Sequence, residues 1–346
     1  MHLHRFFEAR EQSGQGMVLV TVCETAGSTY SKAGNHMLID EHGNFCGMLS
    51  GGCLENDLVE RARSVLASGD AEIATYDLGG DDEFWGLGVG CDGTMRLLLQ
   101  PLLAADDYEP FASMSRMMMG REPGGVAMVI HSDIATVRTG ATLVVDRAGP
   151  RAFGMDEATA VAVADKVAGL ARIRAMEVVT DAGSCELLFS RITPSPALLV
   201  LGAGLDSEPL VRFATELGWS CTVADHRSAY LEGRSYGDHV VLHCCPAEQL
   251  GQRVDLAAFD MAIVMSHHLV SDRSYLRQLA EVPIGYVGLL GPPGRRDRIL
   301  DELGEAETRL AGRLHGPAGM QLGGRGPAPI ALEIIAEMQA YLSRRA

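Results

Sequence analysis

The sequence is short of basic residues. Its 29 Lys and Arg stand against 45 Asp and Glu, so the formal net charge is -16 at pH 7. Nucleic acid and anionic membrane surfaces repel a protein of this charge, which excludes both as expected partners. A small anionic ligand remains compatible with the sequence, because a local pocket can hold one whatever the total charge.

Long apolar runs are also missing. No run approaches the ~20 residues that a membrane-spanning helix needs. The first residues, MHLHRFFEAR, lack the apolar core and the cleavage site of a secretory signal peptide. We therefore expect a cytoplasmic protein that does not enter a membrane.

Paired cysteines of the CxxC type are absent, although the chain has 8 cysteines. Without secretory features, such a chain is expected to keep its thiols reduced, and a structural zinc site is not expected. Glycine, by contrast, is abundant at 40 residues. This abundance predicts many tight turns and sites that are lined by backbone.

The first half of the chain has the pattern of a mixed α/β domain. The β-branched run Met17–Cys23 predicts a strand, and apolar residues at helical spacing predict a helix over Cys53–Ala67. Further strands and helices are predicted between residues 104 and 191. We therefore expect residues 1–192 to form a mixed α/β N-terminal domain.

The second half has a different pattern. Two prolines in Thr193–Pro196 cannot continue a helix or a central strand, so this segment predicts a linker. After it, short apolar strands alternate with helices, which is typical of a doubly wound parallel sheet. The predicted fold class is thus α/β, with a Rossmann-like C-terminal domain over residues 197–346.

A dinucleotide-type fingerprint follows the first strand of that domain. Gly202 permits a tight turn and Gly204 lets the backbone approach a pyrophosphate at the start of the next helix. Asp225 ends the following strand, about 20 residues further on, where a ribose-binding carboxylate is usual. Ser207 stands in place of the third glycine. NAD(P) is therefore a candidate ligand, while an unused Rossmann site stays open as the alternative.

A histidine pair follows the predicted strand Met261–Met265. Residues just beyond the carboxyl end of such a strand line the ligand crevice of a doubly wound sheet, so His267 is a candidate ligand-binding residue. The alternative is a capping or turn role for Ser266 and Asp272, with the histidines in solvent.

The sharpest local motif is the hexapeptide SGGCLE, residues 50–55. Gly51 and Gly52 free the backbone ahead of the predicted helix, and Cys53 would lie in its first turn, where unpaired N–H groups and the helix dipole favour an anion. Such a position favours a thiolate that binds a metal or acts as a nucleophile. Glu55 would gain from the same dipole. The alternative for Cys53 is a small buried residue.

Two further loops are predicted to bind the same kinds of ligand. Gly86–Gly93 contains four glycines that expose successive backbone amides, and Gly90, Cys91 and Gly93 are its candidate anion-binding residues. Gly27–Gly34 is a polar loop that contributes Ser28. Together the loops offer soft thiolates for a metal or sulfur and backbone amides for phosphate.

These motifs, in this order, make the chain resemble the xanthine dehydrogenase accessory proteins, the XdhC/CoxI family. The resemblance covers nearly the whole chain and is thinnest between residues 104 and 193. The matching segments are Gly27–Thr29, Gly34–Met37, Gly47–Glu55, Gly90–Thr94, Gly202–Gly204, Leu217–Trp219, Asp225–Arg227, Ser266–His268, Gly288–Gly291, Gly316–Met320 and Ile330–Glu337.

The resemblance implies a factor that binds the molybdenum cofactor (molybdopterin), protects it during sulfuration and delivers it to an apo xanthine dehydrogenase-type molybdoenzyme. It implies a cofactor chaperone rather than an enzyme, with homodimers and a cysteine desulfurase as a further partner. The SGGCLE cysteine of the family maps onto Cys53, which is therefore the expected contact to the cofactor and its metal.

This sequence departs from the family pattern in two places. Asp92 lies between Cys91 and Gly93 in a loop that is usually closer to Gly-Cys-Gly-Gly, and its carboxylate could repel an anionic pterin. The segment Gly323–Pro329 lacks the acidic pair that is common before the last helix. Both departures concern the chemistry of the site rather than the fold.

Two other functions remain open on the sequence alone. A nicotinamide-dependent oxidoreductase would use Gly202, Gly204 and Asp225, but the third glycine and an evident set of proton-transfer residues are missing. A scaffold that escorts an apo-enzyme without touching the cofactor would not need Cys53 or Cys91.

Overall fold

The computed structural model describes residues 2–78, 93–120, 123–170 and 172–344. The chain divides into two compact units, and the boundary lies between Pro194 and Ser195. Each unit has its own buried core. Within the described ranges, none of the helices combines the length and the apolar character that crossing a bilayer requires.

The N-terminal unit contains two antiparallel sheets and four helices within its described residues. The order of the first sheet is β3-β2-β1-β5-β4, and that of the second is β8-β7-β6-β10-β9. The elements are α1 (His2–Glu11), β1 (Met17–Gly27), β2 (His36–Asp40), β3 (Phe45–Cys46), α2 (Glu55–Ser68), β4 (Glu72–Asp77), β5 (Gly93–Leu102), α3 (Phe111–Met119), β6 (Gly124–Ser132), β7 (Thr142–Asp146), β8 (Gly149–Phe153), α4 (Glu157–Ala168), β9 (Arg174–Thr180) and β10 (Gly183–Ile192).

Alternation along the strands explains how these sheets are layered. In β1, Val18 and Val20 belong to the same buried cluster as Leu58 of α2. Met17 and Leu19 point the other way and share a cluster with residues of β6 and β10. Both faces of β1 are therefore covered, which is why its sequence is a continuous apolar run rather than an alternating one.

The second sheet is covered on its far side by α4. Ala127 and Val129 of β6 lie in one buried cluster with Val163 and Val167 of this helix. The N-terminal unit is thus a stack of helix, sheet, sheet and helix, with the long polar loops at the strand ends. This arrangement leaves the loop before α2 at one end of the first sheet.

The C-terminal unit has a parallel sheet in the order β13-β12-β11-β14-β15-β16. Numbered from its first strand this is 3-2-1-4-5-6, the order of dinucleotide-binding folds. The elements are β11 (Ala197–Leu201), α5 (Ser207–Glu216), β12 (Ser220–Asp225), α6 (Ser228–Glu232), β13 (Val241–Cys244), α7 (Leu250–Arg253), β14 (Met261–Val264), α8 (Leu269–Ala280), β15 (Tyr286–Leu289), α9 (Pro293–Asp301), α10 (Glu305–Leu310), β16 (Leu314–His315) and α11 (Pro327–Ser343).

The core of this unit lies on both faces of the sheet. Leu198 and Val200 share one buried cluster with α5 and α11, while Leu199 and Leu201 share another with α8. The predicted fold class is confirmed: a mixed α/β N-terminal unit and a Rossmann-like parallel sheet. Sequence reasoning missed the short strands β4, β8 and β16.

Candidate functional site

The structure brings the loops Gly27–Gly34 and Gly47–Glu55 of the N-terminal unit into contact with each other and with Gly93, the last residue of the third predicted loop. A Cβ atom added at Gly93 would lie 2.6 Å from the carbonyl oxygen of Ser28. The Ser31 hydroxyl donates a hydrogen bond to the carbonyl oxygen of Met48. The ring of Tyr30 lies against Gly51, where an added Cβ would be 3.5 Å from a ring carbon. Ser28, Gly51 and Gly93 therefore belong to one loop cluster at the end of the first sheet.

Two predicted residues cannot be placed in this cluster. Gly90 and Cys91 lie in the segment 79–92, outside the described residues. Asp92, the departure from the family pattern, lies there too. The roles of these residues stay predictions.

Cys53 lies just ahead of α2, and the predicted start of this helix was wrong. The helix begins at Glu55 with Leu54 as its N-cap residue, so Cys53 is not in the first turn. The reason is that the Ser50 hydroxyl accepts the N–H of Leu54, and the carbonyl oxygen of Leu54 is the first to accept a helical hydrogen bond. Cys53 is half-buried in the bend before the helix, and it forms no disulfide.

The glycines beside Cys53 have the backbone conformations that the motif predicts. Gly51 and Gly52 have φ values of 78° and 110°, which side chains other than glycine rarely adopt. Among the described residues, no atom lies within 4 Å of a Cβ added at Gly52, so the described part of the chain leaves room beside the residue before Cys53.

Glu55 holds the loop in shape. Its side chain is buried, and its carboxylate accepts hydrogen bonds from the N–H groups of Leu49 and Ser50 and from the Ser50 hydroxyl. Burial raises the pKa of Glu55, but the hydrogen bonds from Ser50 and Leu49 outweigh burial and hold the pKa below its ordinary value. Glu55 thus supports the Cys53 loop from inside. Its contact to a ligand stays a prediction.

A neutral histidine lies on the neighbouring strand. His36 is in β2, with Nδ1 at 3.0 Å from the Thr21 hydroxyl oxygen, and burial lowers its pKa to about 4. Gly47 packs directly on this residue, since a Cβ there would be 2.7 Å from the His36 carbonyl oxygen. The close packing explains why glycine occupies the turn that leads into the Cys53 loop.

In the C-terminal unit, Gly202 and Gly204 form the turn between β11 and α5. Gly202 has a φ of 123°, and a Cβ there would lie 2.6 Å from the backbone of Met265 and Ser266. Ser207, which stands in place of the third glycine, is fully buried and donates to the Gly204 carbonyl oxygen. The hydroxyl of Ser207 also bonds Tyr236, so a serine replaces the glycine without an unpaired polar group.

Asp225 is fully buried, and both carboxylate oxygens already have partners. Oδ2 accepts from the N–H of Ala203, and Arg227 binds both oxygens through Nε and Nη2. Burial raises the pKa of Asp225, but Arg227 and Ala203 hold it below its ordinary value. A ribose hydroxyl would have to displace one of these bonds, so the position of Asp225 gives little support to a dinucleotide.

His267 lies in the same crevice as Gly204. Its Nε2 is 2.7 Å from Oδ2 of Asp206, and the hydrogen bond to Asp206 raises the pKa of His267. The backbone of His267 has a φ of 58°, a strained conformation for a residue with a side chain. The crevice is a cavity of about 340 Å³ lined by Gly204, Leu205, Asp206, Arg227, Tyr230, Arg234, Ser266, His267 and Pro327.

Sequence reasoning missed several residues of the two sites. Tyr30 is 63% exposed beside Gly51, and an aromatic side chain inside a polar glycine loop was the available signal. Asp206 and Arg234 carry no motif that marks them. The alternative interpretation of the histidine pair holds in part, because His268 caps α8 and Ser266 donates to the buried Asp272.

Two family models match the chain. The model described as the XdhC and CoxI family matches residues 11–77, and the one described as the XdhC Rossmann domain matches residues 198–338. Together they cover well over half of the chain, with one match in each unit.

Curated relatives agree with these matches. The chain is 26% identical over 338 residues to a Bacillus subtilis (strain 168) protein described as a probable subunit of xanthine dehydrogenase, a match that spans 97% of this chain and 96% of that protein. It is 32% identical over 122 residues to the molybdenum cofactor insertion chaperone PaoD of Escherichia coli (strain K12), which spans 35% of this chain and 37% of PaoD.

A solved structure shares the fold. A crystal structure described as a xanthine dehydrogenase from Bacillus halodurans superposes with a TM-score of 0.79 and 24% identity. The match covers 100% of this chain and 97% of the other. At this identity the likeness concerns the fold alone.

Proposed function

The chain belongs to the XdhC and CoxI family, and on that premise we propose that it binds the molybdenum cofactor as cargo and serves the maturation of a xanthine dehydrogenase-type molybdoenzyme. The relative PaoD, described as a molybdenum cofactor insertion chaperone, supports the cofactor as the cargo. The full-length Bacillus subtilis relative, described as part of a xanthine dehydrogenase, supports the class of client enzyme.

The observation that carries the proposal is the surroundings of Cys53. Its half-buried thiol follows two glycines in left-handed conformations, with room left beside Gly52 by the described part of the chain and the exposed ring of Tyr30 beside Gly51. A thiolate is a soft ligand that suits molybdenum or sulfur, and exposed backbone at the glycines suits an anionic group. The residues present therefore fit a cofactor that carries both a metal and a pterin.

Cys53 would act as one added ligand rather than as part of a resident metal site. Over the described ranges, no group of three His, Cys, Asp or Glu side chains is placed to hold a metal ion. A carrier must also release its cargo, and a single protein thiolate is easier to exchange than a closed set of ligands. Protection of the cofactor during sulfuration and transfer to the apo-enzyme follow as parts of this proposal.

We also propose the partners of this protein and its compartment. A cysteine desulfurase would supply sulfur, a homodimer would be the working form, and the cytoplasm would be the compartment. The nicotinamide-dependent alternative has less support, because the Asp225 carboxylate is already bonded to Ala203 and Arg227.

The test is equilibrium binding of purified molybdenum cofactor under anaerobic conditions. The parent protein is compared with Cys53→Ala and with the matched control Cys46→Ala, which removes another half-buried thiol of the same unit. We expect Cys53→Ala to lose affinity by about tenfold or more, while Cys46→Ala binds as the parent does. Urea unfolding of both variants checks that the fold is intact.

Two results would count against the proposal. If the parent does not retain the cofactor, the cargo is wrong. If Cys53→Ala retains it as well as the parent, the site is wrong and Cys53 is a packing residue. Capture of the apo-enzyme that survives this substitution without any cofactor binding would favour the scaffold that escorts an enzyme alone.

A further inference from the structure

The cavity of the C-terminal unit is lined by more basic than acidic side chains, although the chain as a whole is acidic. Its nine lining residues include two arginines, Arg227 and Arg234, and one histidine, His267. Asp206 is the acid among them, although the whole chain carries a net charge of -16. Basic side chains that gather in a concave site raise the local concentration of anions.

The two arginines are held in place by groups behind the cavity wall. Asp225 binds Nε and Nη2 of Arg227, whose guanidinium lies 3.8 Å from the centre of the Tyr230 ring. Nε of Arg234 donates to the carbonyl oxygen of Ala203. A guanidinium has five N–H donors, and these bonds leave some of them for a ligand. Two guanidinium groups held in fixed orientations suit a phosphate group.

Carboxylates near the cavity limit how much anion it can take. Asp225 is bound to Arg227, and Glu208 lies 3.7 Å from Nε of Arg234. Asp206 is the N-cap residue of α5, so its carboxylate occupies the place where the helix dipole favours an anion. An incoming anion would compete with the Asp206 carboxylate for His267.

We propose that this cavity binds one phosphate monoester group through Arg227, Arg234 and His267, and that binding separates His267 from Asp206. A phosphate monoester fits better than a dinucleotide, because the Asp225 carboxylate is already bonded to Ala203 and Arg227 and is not available to a ribose. The phosphate could belong to a nucleotide or to the pterin cofactor, which share this group. The inference does not depend on the role of Cys53.

Calorimetric titration of the full-length protein tests the site with inorganic phosphate, adenosine 5′-monophosphate and adenosine. We expect the monophosphate and inorganic phosphate to bind and adenosine not to bind. His267→Asn and Arg234→Gln should each weaken binding of the monophosphate by about tenfold, since each removes a hydrogen-bond donor that lines the cavity. Asparagine is chosen at 267 because it tolerates the left-handed backbone.

Asp206→Asn gives an effect of the opposite sign. It removes the competing negative charge, but it also removes the group that raises the pKa of His267, so the titration is made at pH 6, below the ordinary pKa of histidine. There the variant should bind the monophosphate about fivefold more tightly than the parent. The matched controls are Arg212→Gln, an exposed arginine on α5, and Asp301→Asn, an exposed acid on α9; neither lines the cavity. Both should bind as the parent does, which separates local contacts from a change in net charge.

Several outcomes would overturn the inference. These are equal binding of adenosine and its monophosphate, unchanged affinity in His267→Asn, or no gain in Asp206→Asn. Tighter binding of NAD⁺ than of the monophosphate would replace a single phosphate with a dinucleotide. Cys53→Ala should leave phosphate binding unchanged, so failure of the cofactor proposal and failure of this one can be told apart.

The source of the phosphate is decided by competition. If the monophosphate competes with purified molybdenum cofactor in the parent but not in Arg234→Gln, the cofactor supplies the phosphate that the cavity binds. If the two bind independently while the variants behave as expected, the cavity serves a nucleotide. Both results keep the phosphate site and assign its ligand.

Discussion

Glu55 in the N-terminal unit and Asp225 in the C-terminal unit are both buried carboxylates beside a glycine turn, yet their partners differ. Glu55 accepts hydrogen bonds from neutral donors, two backbone N–H groups and the Ser50 hydroxyl. Asp225 accepts the backbone N–H groups of Ala203 and Arg227 and, in addition, the charged guanidinium of Arg227. The first carboxylate therefore shapes a loop around a thiol, whereas the second fixes a cation at the edge of a cavity.

This difference explains why we assign different ligands to the two sites. The Cys53 loop offers a soft sulfur atom and bare backbone, which suit a metal cofactor. The crevice offers oriented guanidinium groups, which suit a phosphate. In both units the carboxylate that the sequence offers as a ligand contact is hydrogen-bonded to protein groups.

The largest expected effect is that of Asp225→Ala. It leaves the Arg227 guanidinium and the N–H of Ala203 without their acceptor, and because Arg227 is partly exposed we expect a loss of about 3 kcal/mol in the free energy of unfolding. Urea unfolding with hydrogen exchange on peptides of each unit measures it. The control Asp301→Ala, at an exposed acid, should change the free energy of unfolding little. A loss below 1 kcal/mol in Asp225→Ala would show that the Asp225–Arg227 pair contributes little to stability.

A smaller effect is expected for Glu55→Ala. Only neutral donors lose their acceptor, so we expect a loss of about 2 kcal/mol, confined to the N-terminal unit. Glu55→Gln should lose less, because it keeps one acceptor oxygen. Hydrogen exchange of the peptide that spans residues 47–58 reports the loop directly. Equal losses in Glu55→Ala and Asp225→Ala would mean that the charge of the partner does not matter.

The smallest effect, taken over a single pH unit, concerns pH, and the two units should respond in opposite directions. Below pH 6.5 the unfolded chain protonates His36 while the folded chain does not, since burial lowers the pKa of His36 to about 4. The N-terminal unit should therefore lose about 1.4 kcal/mol per pH unit as pH falls through this range. His267 has a raised pKa through Asp206, so its contribution is complete below pH 6.5 and is lost as pH rises through the raised pKa.

Urea unfolding of each unit between pH 5 and 8 checks this difference. His36→Gln should flatten the acid slope of the N-terminal unit, and the control His42→Gln, at an exposed histidine, should not. A parent slope that survives in His36→Gln would mean that another group titrates there.

Much of the fold could be predicted from local patterns. The alternation of strands and helices after Thr193–Pro196 predicted the parallel sheet, and β11 and β14 lie close to where the apolar runs placed them. The helical spacing of Leu58, Ala62 and Val65 likewise predicted the buried side of α2. These features depend on periodicity and on turn residues, which a sequence shows directly.

The candidate sites were less predictable. Cys53 was placed in a helix that begins two residues later, because the Ser50 hydroxyl caps the Leu54 N–H and no sequence pattern shows that bond in advance. Asp206 and Arg234 belong to no recognisable motif. They line the same cavity because the fold brings the start of α5 and the segment after α6 together at the ends of the parallel strands.

The sequence by itself determined the α/β class and the glycine turns. It also determined which functional groups each unit contains: a thiol in one unit, and a GxG turn with histidines in the other. Tertiary structure decided which polar groups remain available to a ligand. Asp225 matched the ribose position by spacing, but folding placed the N–H of Ala203 and the guanidinium of Arg227 within 2.7 Å of its oxygens. A buried carboxylate takes the nearest donors. Arg227 lies only two residues further along the chain, but Ala203 reaches Asp225 because β11 and β12 pair side by side in the sheet.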